Sequence, residues 1–341
     1  MLDERKKRIL QAIIEEYIGT AEPVSSASLM NHYGLNFSSA TIRNEMNNLE
    51  KIGYLEKPHT SAGRVPSAKG YRLYVDELLN SNNISFDEIR YITEQLKANV
   101  NEIEDLSKIA ANTLSEITHY TSVAVGPKTA THIITDIKFV LLGTRVLMAI
   151  ILTDTGMIKE SIIKFDSDIT ELQVENLNQL FNYRLRGKPL GQIDVPMEEY
   201  IASEIHYELK IIRPIIEAIN KVVKEDINVY LEGKEKVFDF PEFNNVEEAK
   251  NVLRILDTNE LVSSVLNSSN GKQINVYIGN ENAYDELKNL SIITLKNSFD
   301  DKDWGTIGII GPTRMDYSKV ISVMKYIQEV LEHRWKQMED N

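Results

Sequence analysis

No cysteine occurs among the 341 residues. Disulfides, thiolate nucleophiles and cysteine metal sites are therefore excluded, and the composition suits a reducing compartment. Histidine is sparse, six in all, and His32, His59, His119, His132, His206 and His333 show no zinc-site spacing. Long apolar runs are missing. The longest, VLMAIIL at Val146–Leu152, is too short to cross a bilayer. The opening MLDERKKRIL has no apolar signal core, so a cytoplasmic protein is expected. Also missing are a GxSxG elbow, a GxGxxG loop and the lysine–serine/threonine ending of a P-loop. Ile307–Arg314, IGIIGPTR, has two glycines between a strand and a helix and reads as a tight turn, with Arg314 free to face a small anion. DDKDWG, Asp300–Gly305, lacks the glutamate that would complete a calcium loop. No enzyme, cofactor or metal centre is expected.

Positive charge is scarce overall, with a formal net charge of −13. The deficit is uneven. Residues 1–79 hold ten Lys/Arg against ten Asp/Glu, while the remainder holds 28 against 41. An acidic body repels nucleic acid, so any such contact belongs to the charge-balanced head. Within the head, EKPHTSAGRVPSAKGYRLY (Glu56–Tyr74) carries Lys57, Arg64, Lys69 and Arg72 against Glu56 alone, punctuated by Pro58, Gly63, Pro66 and Gly70.

Helical periodicity predicts a first helix over residues 4–18, closed by Gly19. A short second helix follows Ser25 and ends at Gly34, and a third runs from Ser38 to Gly53 with Ile42, Met46 and Leu49 as its apolar stripe. YLEK then reads as a strand, and Ser67 caps a helix reaching Leu79. Helix, short helix, turn, helix, strand and glycine-rich loop make a winged helix-turn-helix over 1–79. A polar stretch, Asn80–Glu88, marks the boundary, and a long helix is expected over about 86–117.

Beyond it, TSVAVG, HIITDIKFVLLG, RVLMAIILTD and MIKESIIKF predict a four-stranded antiparallel meander. The pattern turns helical from Asp166 to Asp226. Strands return at NVYLE, QINVYIG, SIITLKN and TIGIIG, with a helix over 246–266 and a last one over 317–337. A mixed sheet interrupted by helices gives one mixed α/β domain, residues 80–165 and 227–341, with an inserted helical unit at 166–226. The apolar stripes of Glu198–Lys224 and Tyr317–Gln337 suit either subunit seams or burial within one subunit.

On the third helix the 100° step places Ala40, Asn44, Asn47 and Lys51 opposite the apolar stripe, with Thr41 and Arg43 on the flanks. Arginine pairs bidentately with guanine and asparagine with adenine, and the threonine methyl can touch thymine. Ser39, Thr41, Arg43, Asn44 and Asn47 are therefore the expected base readers. An ordinary solvated helix face would be richer in Glu and Lys. A wing needs cations for phosphates, glycines for close approach and prolines to hold its path. Lys51, Lys57, His59, Thr60, Ser61, Arg64 and Lys69 supply the polar groups, and Tyr71 and Tyr74 pack the return.

PVSSASL, SSATIRNEMNNLEKIGYLEKPHTSAGRVPSAKGYRLYVD and the late IGIIGPTRMDYSKV resemble the HrcA family of heat-inducible transcription repressors, along essentially the whole chain. That resemblance implies a winged helix, a GAF-like domain and an inserted dimerisation domain. It further implies repression of chaperone operons by a homodimer on an inverted-repeat DNA operator, with activity supported by the GroE chaperonin. Two other readings compete: a regulator sensing a metabolite in the GAF-like domain, and a winged helix serving as a protein-interaction module.

Overall fold

The computed structural model describes residues 2–32, 37–58, 63–79, 84–97, 103–126, 131–154, 156–193, 209–225, 229–243, 246–267, 273–299 and 302–339. Three helices open the chain, α1 (Glu4–Thr20), α2 (Ser26–His32) and α3 (Ser39–Lys51), followed by a hairpin of β1 (Leu55–Glu56) and β2 (Val65–Pro66). The serine caps lie where the sequence puts them. Ser25, Ser38 and Ser67 accept from the amides of Ser28, Thr41 and Gly70, each at 3.1 Å. Gly53 ends α3 at φ 81°. The end of α1 differs: it passes Gly19, and Ala21 takes the left-handed turn at φ 57°. After Ser67, α4 (Ala68–Leu73) widens into a π turn, Tyr74–Leu78.

Where one long helix is expected, α5 (Phe86–Lys97) and α6 (Ile103–Thr118) are found; residues 98–102 lie outside the described set. The chain continues through β3 (Thr121–Val125), β4 (Ile134–Gly143), β5 (Val146–Thr153) and β6 (Ile158–Lys164). Next come α7 (Glu171–Leu185), α8 (Leu209–Glu225) and β7 (Val229–Glu232). It ends with α9 (Val246–Leu256), α10 (Asn259–Asn267), β8 (Ile274–Ile278), β9 (Leu290–Phe299), β10 (Lys302–Pro312) and α11 (Tyr317–Glu339). Two helices, α9 and α10, thus stand where one is expected.

The expected four-stranded meander loses its first strand. β4, β5 and β6 form a sheet of their own, while β3 joins a five-stranded sheet ordered β7-β3-β10-β9-β8. All five residues of β3 are buried, which suits an interior strand rather than the end of a meander. Its partners are distant in sequence: Thr121 faces Ile310, and Val125 faces Val229. The large sheet is antiparallel at every pairing, not mixed as expected. The free edge of β4 is closed by α7. Asn178 and Asn182 exchange side-chain hydrogen bonds with the backbone N–H and C=O of Phe139 and Ile137 at 2.5–3.1 Å. These two asparagines are one turn apart, matching alternate residues of the strand.

Three apolar clusters follow. One joins α1 and α3 to α5, α6, α11 and the large sheet, so head and body share buried contacts. A second fills the opposite face of that sheet with Val252, Ile255, Val262 and Leu266. The third binds β4–β6 to α7 and α8 through Ile137, Phe139, Ile151, Phe181, Ile212 and Ile216. The insert border expected at 166 falls inside this third cluster. The strands β4–β6, expected to belong to the large domain, pack instead with α7 and α8. The apolar stripes of α8 (Ile212, Ile216, Ile219) and α11 (Val320, Met324, Ile327) are buried within the chain, so neither is an exposed seam. Residues 198–208 of the first stripe lie outside the described residues.

Candidate nucleic-acid interface

Ile42, Met46 and Leu49 anchor α3 in the same cluster as Ile9, Leu10 and Ile13 of α1. That fixes which side is left over. Ala40, Arg43, Asn44, Asn48 and Lys51 are exposed. Of the five expected base readers, Arg43 and Asn44 project freely. Ser39 is half-buried, its hydroxyl 3.2 Å from that of Ser26 on α2. The Thr41 hydroxyl lies 2.9 Å from that of Ser38, which leaves its methyl as the group to present. Asn47 is half-buried on the hairpin side.

The hairpin is short but well pinned. Leu55 faces Pro66 and Glu56 faces Val65. A third segment joins them, for Val24 and Arg64 exchange both backbone hydrogen bonds at 2.9 Å. Gly63 is required by that approach: a Cβ there would stand 2.2 Å from the Val24 carbonyl oxygen. Lys57 is exposed; His59, Thr60 and Ser61 lie outside the described residues.

Two expected phosphate ligands are already engaged. Arg64 is turned inward, only 14% exposed, with Nη2 2.6 Å and Nε 2.7 Å from the Glu50 carboxylate and Nη2 2.9 Å from Asn47 Oδ1. Lys69 donates to the Ile52 carbonyl at 2.9 Å and stands 4.5 Å from the Tyr54 ring centre, closing the end of α3. Their charge is legible in the sequence; the α3 groups that claim them are tertiary partners.

The other flank of α3 carries cations the sequence reading overlooked. Glu45 lies 3.4 Å from Lys6 and 3.7 Å from Arg5 of α1, and Arg5 stands 5.5 Å from the Phe37 ring centre. The hydrogen bond to Asp3 holds the Lys6 ammonium above its ordinary range, with burial opposing and Glu45 adding. The signal available was the basic run at the start of α1.

Head and body meet through α4 and the turn before α11. Tyr71 and Tyr317 are buried with ring centres 5.8 Å apart, and burial pushes both hydroxyls above their ordinary range. Arg72 bonds Glu281 and the Val276 carbonyl of β8. Arg314, read from sequence as free to face an anion, is held by Glu242 at 2.5 Å and reaches the Ile18 carbonyl at 3.3 Å.

Residues 104–321 match the family model of the HrcA protein C-terminal domain. The heat-inducible transcription repressor HrcA of Acetivibrio thermocellus is 39% identical over 331 residues, covering 96% of this chain and 94% of its own. That of Alkaliphilus metalliredigens is 40% identical over 343 residues, covering 98% and 99%. A 2.2 Å crystal structure of a protein described as hypothetical is similar with a TM-score of 0.67 and 25% identity, over 98% of both chains. Fold, candidate interface and relatives together define a transcription repressor, a protein that works on DNA. The chain belongs to the HrcA family of heat-inducible repressors.

Proposed function

We propose that this repressor silences heat-shock chaperone operons by binding an inverted-repeat DNA operator as a homodimer, with its activity supported by the GroE chaperonin. The observation that carries the DNA reading is the α3 face. Arg43 and Asn44 stand exposed over a buried Ile42, Met46 and Leu49, the arrangement that lets a helix lie in a major groove with rigid support. Residues 1–79 serve as a winged helix-turn-helix. Ser39, Thr41 and Asn47 complete the reading face, and Lys51, Lys57, His59, Thr60 and Ser61 serve the phosphates. The large sheet is a GAF-like body. Residues 131–225 are its dimerisation insert, longer than the sequence reading by the three strands that share its core.

One winged helix covers too little groove for operator specificity, so two copies are required. The outward face of the small sheet supports the seam. Met148 sits between Val140 and Ile162, and Leu152 faces Ile158, in an apolar patch across the strands. A metabolite pocket enclosed by the large sheet is not favoured: apolar clusters pack against both its faces, and the cavity of about 660 Å³ at its β8 edge is shared with the head, with Arg72, Val75 and Asp76 among its lining residues.

Chaperonin dependence is supported by topology. β3 must wait for β7 and β10, and such pairing of separated segments folds slowly with apolar strands exposed. The head shares its core with that body, so DNA binding follows body folding. Selection of bound DNA from a random pool tests the central reading: an inverted repeat is expected, and Arg43→Ala should cost about 1–3 kcal/mol on the selected site. Absence of sequence selection would leave a protein-interaction module as the better account. Refolding with and without GroE, scored by operator binding per mole of soluble protein, tests the chaperonin arm.

A further inference from the structure

Asn47 and Arg64 were read from the sequence as independent DNA contacts, one to a base and one to a phosphate, yet they meet each other. We infer that Arg64 fixes the side-chain amide of Asn47 in one orientation and thereby determines which base edge α3 accepts at that position. This rests on the reading of α3 as the base-reading helix.

The backbone of Arg64 cannot drift, because it is bridged to Val24 on both sides of the residue and Gly63 leaves no room for a side chain. From that fixed point the guanidinium holds Glu50 at 2.6–2.7 Å and donates to Asn47 Oδ1 at 2.9 Å. Guanidinium has five donors and no acceptor, so the amide oxygen must be the atom facing it; a flipped amide would set donor against donor. The Nδ2 group is therefore the one turned away from Arg64. Pairing with adenine requires an asparagine to offer an acceptor to N6 and a donor to N7 together. With its oxygen turned toward Arg64, the amide presents its Nδ2 donors on the side away from the guanidinium, and the oxygen is not aimed to accept from N6 beside them. The amide's best match in the major groove is guanine, with O6 and N7 both acceptors, followed by thymine O4. Arg64 is thus a positioning residue for specificity.

Selection from a random DNA pool with the full-length chain tests this. Asn47→Ala locates the operator position concerned, as the one where preference is lost; the unmodified chain should favour guanine or thymine there. Asn47→Asp keeps an acceptor for Arg64, and so keeps the anchor, but removes the donor. Preference should move by about ten-fold toward cytosine or adenine, whose amino groups donate. Arg64→Ala with Glu50→Ala removes the pair without changing net charge and frees the amide. Adenine should then gain about ten-fold, with the salt slope of binding unchanged. Thermal unfolding checks that each variant is folded, and if the double variant is not, Asn47→Asp decides alone. Unaltered base preference in Asn47→Asp, or a salt slope lowered by about one unit in the double variant, overturns the inference. If the unmodified chain selects no sequence at all, the DNA reading of α3 fails first.

Discussion

Along β3 all five residues are buried, whereas along β5 burial alternates, and on β6 Ile158 and Ile162 stand 60% and 64% exposed. The large sheet is covered on both faces by helices of its own chain. Among the described residues the small sheet is covered on one face, by α7 and α8. An antiparallel sheet with one solvated face normally alternates apolar and polar residues. Here the outward face keeps charged residues at Asp136, Lys138 and Glu160, but Val140, Met148, Ile150, Leu152, Ile158 and Ile162 on the same face are apolar. Such a patch is the kind of surface a partner covers, and it supports the seam proposed above.

The comparison breaks most visibly if the small unit's core is opened. Phe139 meets Phe181 edge-on, ring centres 5.1 Å apart at 83°. Phe139→Ala should cost about 3–5 kcal/mol. Because this cluster is distinct from those of the large sheet, calorimetry should show an early transition for the insert and a retained one for the rest. A single transition shifted as a whole would mean that the two sheets unfold as one.

The next effect separates assembly from folding. Ile162→Glu puts a carboxylate in the apolar outward face, and a two-fold partner would bring a second. Sedimentation should report a dimer weakened by roughly 3 kcal/mol, more than a hundred-fold. The melting of the monomer should move by no more than about 0.5 kcal/mol, as at other surface sites. A dimer that persists would move the seam elsewhere.

What the sequence disclosed and withheld follows the range of each interaction. Ser25, Ser38 and Ser67 cap helices through contacts three residues away, so their roles are local and legible. So is the inward stripe of α3, set by its own periodicity. The small meander is legible because β4, β5 and β6 pair with immediate neighbours. The place of β3 is not, since it depends on strands more than a hundred residues later. The same limit applies at the candidate interface. Arg43 and Asn44 could be placed by helical angle alone, but the partners of Arg64 and Lys69 were not legible, because Glu50, Asn47 and the Ile52 carbonyl reach them across the fold.

A smaller effect concerns how the small sheet keeps its free edge dry. Asn182 satisfies both the N–H and the C=O of Ile137, at 2.9 and 2.5 Å. Asn182→Ala removes both partners, and the cost should be about 2 kcal/mol in the insert transition. Hydrogen exchange at Ile137 should quicken with no change at β3, where strands rather than side chains supply the partners.

The smallest expected effect lies on the large sheet, where α5 and α11 cover one face. Lys319 of α11 bonds Glu88 of α5. Burial alone would raise the Glu88 pKa, but hydrogen bonds from Lys319 and from the Ser85 amide and hydroxyl outweigh it, and the net shift is downward from the ordinary 4.5. A carboxyl with a lowered folded-state pKa binds its proton more readily when unfolded. Its stabilising contribution is therefore complete above pH 4.5 and drains away as pH falls through the lower folded value. The pair is only partly shielded, with side chains 24% and 28% exposed, so the contribution is at the modest end for an ion pair. Melting temperatures of the unmodified chain and of Glu88→Gln should differ by a small constant amount at neutral pH. That difference should shrink only below pH 4.5, and added salt should reduce it at neutral pH. A difference that instead grows on acidification would mean that burial dominates at Glu88, and that this brace between the covering helices costs stability rather than adding it.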